Sequence, residues 1–293
     1  MSHVPAATRA GTRETPHPGP VGPLGAWPGW WAGLRDALHA EWTKLRTVSG
    51  PAWLLVGVVT LTVAVSAVAV AATKCNPSVG CLADTTKLSL TGIYLGQAVV
   101  AILAVLAVSN EYSTGMIRVT LAAMPRRSAV LAAKGVLVGA LALVAGTVAV
   151  AGSLLAGRLI LPGNGFTPAN GFAALSLEHG PTLRAACGSV LYLALIAMFS
   201  LGIATAVRDS AVAIGLSLGV LYLPPILIAV TVSNPVWLHR LERYTPMNAG
   251  LAIQDTTRLH SLAITPWGGL GVMALWAAGA LLLGGLLLRF RDA

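Results

Sequence analysis

The chain has 293 residues, of which 56% are hydrophobic and only 10% charged. A soluble domain carries about 25% charged residues, so this composition excludes an ordinary soluble protein and indicates an integral membrane protein. The net charge of +9 does not indicate nucleic acid, because the bases sit between apolar runs and no basic stripe is interleaved with aromatics.

Residues 1–29 are rich in Pro, Gly, Thr and Ala and lack apolar periodicity. Such a segment buries too little surface to offset the entropy of ordering, which predicts a disordered cytoplasmic tail. No secretory signal peptide is visible, since the first apolar run begins near Ala52.

Residues 30–48 predict an amphipathic helix. Trp31, Leu34, Leu38, Trp42 and Leu45 recur at helical spacing, while Arg35, Asp36, His39, Lys44 and Arg46 fall largely elsewhere. Trp on one face and bases on the other suit the membrane interface. A soluble helix packed on a partner domain is the alternative. Ser49, Gly50 and Pro51 are expected to end this helix and turn the chain into the bilayer.

Residues 49–293 form the predicted transmembrane domain. Six segments are long enough to cross about 30 Å of hydrocarbon at roughly 1.5 Å per residue. They are Ala52–Thr73, Leu88–Val108, Gly135–Gly157, Ala185–Val207, Ala211–Val232 and Trp267–Leu288, and none contains a charged residue or histidine. The fold class is therefore all-α and polytopic. Pro224 and Pro225 in the fifth segment remove backbone donors and predict a kink or break, read either as benign or as a hinge.

Orientation follows from Lys and Arg. With both termini cytoplasmic, the inside segments hold twelve of these residues and the outside loops seven, which favours that topology in a cell membrane. Cys75 and Cys81 then share an outside loop, where an oxidising compartment permits a disulfide. Cys187 lies in the fourth span as a packing residue. The cysteines and the six histidines make no metal-ligand pattern. In the last long loop, Met247–Ile253 is apolar but too short to span. A re-entrant or interfacial segment and an ordinary surface helix are both open readings.

The cytoplasmic stretch Ser109–Lys134 interrupts the apolar pattern between the second and third spans. It reads SNEYSTGMIRVTLAAMPRRSAVLAAK, with one acid, Glu111, and four bases, Arg118, Arg126, Arg127 and Lys134. Gly115 permits a turn, and Met116, Ile117 and Leu121 can offer an apolar ridge to a partner groove. Arg126, Arg127 and Lys134 are explained by the topology rule and lipid headgroups.

Missing motifs narrow the function. There is no G-x-x-x-x-G-K-[ST] loop, no HExxH and no G-x-S-x-G, so neither nucleotide hydrolysis by that route nor common hydrolase chemistry is expected on this chain. The spans hold no carboxylate or histidine for a proton relay. No catalytic, cofactor-binding or metal-binding residue is predicted. A transporter built this way draws its energy from another chain.

The connector EYSTGMIRVTLAAMPRR and the upstream EWTKLRT resemble the permease subunit of type-2, export-type ABC transporters, most closely actinobacterial permeases of the drug- and bacitracin-export kind. The matching positions are Glu41, Lys44 and Leu45, then Glu111, Gly115, Arg118, Leu121, Pro125, Arg127 and Lys134, and the resemblance runs from about Ala40 to Phe290. It implies that the first helix lies along the membrane as an elbow. It also implies that the connector is a coupling helix docking on a separate ATP-binding subunit, which would carry the ATP and Mg. Two permease copies, identical or related, would form the pathway, with the first, second and fifth spans at or near it. A hydrophobic or amphipathic cargo suits the apolar spans. An ATP-independent secondary carrier and a non-transporting membrane scaffold or sensor are the rival classes. Two G-x-x-x-G motifs, Gly135 with Gly139 and Gly215 with Gly219, are candidates for close helix contact at a dimer interface.

Overall fold

The computed structural model describes residues 35, 38–39, 43, 49–75, 83–113, 127–231, 234–257 and 259–290. Among them there is no strand, and six helices are long and apolar enough to cross a membrane. The chain is an all-α, multi-pass membrane protein.

In chain order the helices are α1 (Ser49–Ala72), the short α2 (Thr85–Ser89), α3 (Ile93–Ser113), α4 (Arg127–Ile160), α5 (Gly180–Val207), α6 (Ser210–Thr231), α7 (Pro235–Tyr244), α8 (Pro246–Leu251) and α9 (Pro266–Phe290). The six long ones, α1, α3, α4, α5, α6 and α9, are the spans. They alternate in direction. One end of the bundle therefore carries the 114–126 connector and the Arg208–Asp209 turn, and is called the connector end. The other carries α2, α7 and α8, and is called the loop end.

Several boundaries differ from expectation. Ser49, Gly50 and Pro51 form the first turn of α1, where a proline without its N–H costs nothing; the expected end of the preceding helix falls at residues 44–48, outside the described residues. The second span starts at Ile93, because Asp84 caps a separate short helix and the chain turns at Leu90–Gly92. The fifth span does not break at Pro224 and Pro225; α6 continues through both. The third span is the longest, at 34 residues, and it takes in Lys134. This corrects the placement of Lys134 in the polar connector. Lys134 is only 4% exposed, and its ammonium donates to the Ala107 carbonyl of α3 at 3.4 Å. Its long apolar stem lets it enter the bundle while the charged head finds a backbone acceptor.

Helix α5 is the centre of the bundle. It packs on α9, α3, α4 and α6, and Tyr192, Leu193, Ile196 and Leu201 along it are wholly buried. Hydrocarbon outside is as apolar as leucine, so close van der Waals fit must hold these helices together. The α5–α9 contact shows how. A Cβ on Gly202 would overlap the backbone of Ala280, and one on Gly284 would overlap the Gly202 carbonyl. Only glycine allows the two backbones to approach this closely.

Of the predicted interfacial helix, Arg35, Leu38, His39 and Thr43 are described. All are helical, Leu38 is half-buried and the other three are exposed. Thr43 Oγ1 donates to the His39 carbonyl at 2.9 Å. Trp31, Leu34, Glu41, Trp42, Lys44 and Leu45 lie outside the described residues.

Candidate functional site

Helices α6 and α9 both pack on α5 but scarcely touch each other. They leave a wedge-shaped space with α5 as its floor. What fills that space differs at the two ends, and the contrast defines the candidate site.

At the loop end the space is filled by the chain itself. Helix α8 and the 3-10 turn Ala252–Gln254 pack on α5, α6 and α9. Met247, Ala249, Leu251, Ile253 and Gln254 are buried. This excludes the surface-helix reading of Met247–Ile253. It is a short, non-spanning segment shielded by protein, the setting in which irregular backbone is tolerated at membrane depth. The fit needs glycine on both sides: a Cβ on Gly188 would overlap Ile253 Cγ1, and one on Gly250 would overlap the Tyr192 ring.

A seam of polar groups runs through this filled half. Tyr192 Oη donates to Gln97 Oε1, and Gln97 Nε2 donates to Met247 Sδ at 3.3 Å. Tyr222 Oη of α6 donates to the Tyr94 carbonyl of α3. Gln254 Nε2 donates to Ser189 Oγ at 3.3 Å. Tyr192, Gln97 and Gln254 are all fully buried. Each bond crosses between elements, so the seam ties α3, α5, α6 and the α8 segment together. Its side chains are neutral hydrogen-bonding groups, which bury at far lower cost than charges.

Above the seam, charged groups close the loop end. Asp84 caps α2 by accepting from the backbone N–H of Thr86 and of Lys87, each at 3.1 Å. The same carboxylate reaches the loop after α8, accepting from Thr256 N at 2.6 Å, Thr256 Oγ1 at 2.7 Å and Thr257 N at 3.0 Å. Lys87 Nζ meets Asp255 Oδ1 at 2.7 Å. The guanidinium of Arg184, in the first turns of α5, donates to the Asp255 carbonyl. Burial pushes the Asp84 carboxyl upward, but the hydrogen bonds from Thr256, Lys87 and Thr257 outweigh it and hold the group below the usual carboxylate range. For Lys87 burial works toward the neutral amine, and the hydrogen bond and charge of Asp255 outweigh it, so its pKa is raised.

At the connector end the same space stays open. It is an apolar groove of about 510 Å³. Phe199, Ile203 and Val207 of α5 form its floor, Leu216 and Val220 one wall, and Trp276 and Leu283 the other. The Phe199 and Trp276 rings meet edge to face, with centroids 6.3 Å apart.

The residues singled out from the sequence are distributed as follows. Glu111 lies in the last turn of α3, while Gly115, Met116, Ile117, Arg118 and Leu121 lie outside the described residues. Cys75 is disulfide-bonded and Cys187 is free; Cys81 is outside the described residues. Pro224 and Pro225 sit in α6 two and three residues beyond Tyr222, away from any break. The two G-x-x-x-G motifs separate. Gly135 and Gly139 pack on Met198 and Leu201 of α5 within the chain, whereas Gly215 faces open space.

Sequence reasoning left the burial of Met247–Ile253 open and missed the polar contacts around it. Asp84 was findable as an N-cap, since Asp followed by two threonines and a lysine precedes the run. Gln97 and Tyr192 stand out only if polar residues within apolar spans are sought as well as charged ones. Among the described residues no cluster of His, Cys, Asp or Glu suits a metal ion. No family model matches the chain, and no curated protein sequence matches it.

Proposed function

We propose that this chain is the membrane-spanning permease subunit of an ATP-driven exporter. It acts in a complex with a separate ATP-binding subunit and a second permease copy, and moves a hydrophobic or amphipathic cargo by alternating access. The observation that carries the reading is the segment EYSTGMIRVTLAAMPRR, which runs from the last turn of α3 through the 114–126 connector to the first residue of α4. It joins two spans at the end of the bundle opposite the polar closure, and the chain has no phosphate loop of its own.

The arrangement at the loop end supports a pathway that is shut there. ATP closing the partner subunits presses on Glu111–Leu121, and the push enters α3 and α4. Lys134 links those two helices near their connector ends. The response at the loop end is separation of the Asp84 and Tyr192 contacts, which join α2 and α3 to α5 and the α8 segment.

The test is transport by vesicles containing the complex. Glu111→Ala and Arg118→Ala should leave the complex assembled and its ATP hydrolysis running, with transport lost. Normal transport in both variants sinks the coupling assignment. The orientation has its own check: a Ser128→Cys protein should be labelled by an impermeant maleimide only from the cytoplasm, and labelling from outside overturns the topology.

A further inference from the structure

We propose that helix α7 lies in the loop-end leaflet and grips the phosphates of anionic phospholipids through Arg240 and Arg243. The inference does not depend on the exporter reading. It rests on where α7 sits, how its side chains divide around its axis, and what its charges lack.

Two spans fix the position of α7. Its first residue, Pro235, comes four residues after Thr231, the loop-end terminus of α6. At its other end the Tyr244 carbonyl accepts from the Trp276 indole at 3.0 Å. Trp276 is ten residues into α9, about 15 Å along that span at roughly 1.5 Å per residue. Helix α7 therefore slants from the membrane surface into the loop-end leaflet. The medium beside its open face is the boundary between headgroups and acyl chains.

Exposure divides the helix into two sides. At about 100° per residue, Arg243, Val236, Arg240, Tyr244, Trp237 and Leu241 follow one another around an arc of about 160°, and all six are exposed. Leu238 and Glu242 lie on the opposite side and are half-buried. The arc is basic along one edge and aromatic and apolar along the other. Water alone would leave the apolar edge unsatisfied, and hydrocarbon alone would leave the basic edge so; the leaflet boundary satisfies both. The Arg240 guanidinium sits 5.5 Å from the centre of the Trp237 ring, one turn nearer the start of α7. Its stem thus runs along the aromatic ring and its charge is carried toward the headgroups.

Charge selects the occupant. Among the described residues neither Arg240 nor Arg243 meets a carboxylate. A guanidinium in this layer takes a phosphate, whose oxygens match its fork of donors. A second copy fits poorly. A two-fold contact sets a patch against itself, which would bring Arg240 and Arg243 against their own copies, like charges in a medium that screens them little. Lipids held here fix the tilt of α7 and, through Tyr244 and Trp276, the seat of α8 in the wedge.

The test reads Trp237 in a bilayer. The full-length chain is reconstituted in vesicles of phosphatidylcholine and phosphatidylglycerol in equal parts, with one or the other lipid brominated near the headgroup end of its chains. The Trp237 signal is isolated by subtracting Trp237→Phe. Both lipids should quench it. Brominated phosphatidylglycerol should do so about fivefold more strongly, the factor for one net positive charge at the surface, since Glu242 offsets one arginine. Arg240→Gln with Arg243→Gln should abolish that preference and leave the quenching by phosphatidylcholine. Arg240→Lys with Arg243→Lys should keep most of the preference. Equal quenching of the wild type by the two lipids overturns the proposal, as does a preference that survives the glutamine pair. Trp237 that neither lipid quenches also overturns it, because protein or water then covers the face. Efficient cross-linking between copies through Leu241→Cys does the same, making the second copy the occupant.

Discussion

The two halves of the wedge between α6 and α9 share a floor, α5, and differ in everything else. The loop-end half is filled by the chain, and its contacts are directional: Asp84 to Thr256 and Thr257, Lys87 to Asp255, Tyr192 to Gln97. The connector-end half is an apolar groove, where the Trp276 indole donating to the Tyr244 carbonyl at 3.0 Å is a directional contact of a lining residue. Opening the first requires breaking specific hydrogen bonds in unison. Changing the second requires only that apolar surfaces slide past one another, with little change in free energy. A bundle built this way is locked at one end and compliant at the other. The compliant end is the one that carries the connector.

If that contrast is right, damage to the loop end should be costly in proportion to how many contacts each group holds. Asp84→Ala removes both the α2 cap and the grip on Thr256 and Thr257. The expected loss is about 3 kcal/mol, combining a lost cap with lost charge-assisted hydrogen bonds. Thermal unfolding in detergent reads it, with amide exchange accelerated at residues 255–257. Gly188→Val drives a branched side chain into Ile253 and should cost about 2 kcal/mol by overpacking. The same change at Gly215, which faces open space, should leave the melting temperature unaltered, and equal effects at both would erase the contrast. Tyr192→Phe leaves the buried Gln97 oxygen without its donor, for a loss of about 1 to 2 kcal/mol. Lys87→Met should be the mildest. The Lys87 side chain is 40% exposed, so solvent screens the pair and its contribution stays under about 1 kcal/mol.

Acidity sharpens the same comparison. The folded Asp84 carboxyl has a lowered pKa, so its contribution is present above the ordinary carboxylate value near ~3.9. It is lost as pH falls through the folded value. Lys87 has a raised pKa, so its contribution is present below the ordinary amine value near ~10.4. It is lost as pH rises through the folded value. The loop end should therefore hold across neutral pH and loosen at both extremes. Asp84→Ala should flatten the acid limb far more than the alkaline one, where the Asp84 charge makes only a minor contribution to the raised Lys87 pKa; an unchanged acid limb in that variant contradicts the assignment.

The spans were legible because an uninterrupted apolar run of about 20 residues has few alternatives to a membrane helix. Their ends were less so. Lys134 was read out of the third span because it is charged, yet a helix that finds its ammonium an acceptor on Ala107 can bury it. The seam was not legible. Tyr94, Gln97, Tyr192 and Tyr222 are each unremarkable within their runs. Tyr192 meets its partner 95 residues away, Tyr222 meets its own 128 away, and Gln97 meets Met247 across 150. No local pattern records such pairings. Met247–Ile253 was ambiguous for a related reason: seven apolar residues suit a buried wedge and a surface helix equally until the neighbours are known. The connector was legible as a break in hydropathy, and Glu111 and its neighbours remain a reading of the sequence.

The central claim is that a separate motor drives this chain. The direct measurement is ATP hydrolysis by the tagged full-length chain purified in mild detergent from the cells that make it. The account predicts a stoichiometric partner that contains a phosphate loop, hydrolyses ATP and stays bound after size-exclusion chromatography. Purification of the intact chain with no nucleotide-binding partner and no ATP hydrolysis would contradict it.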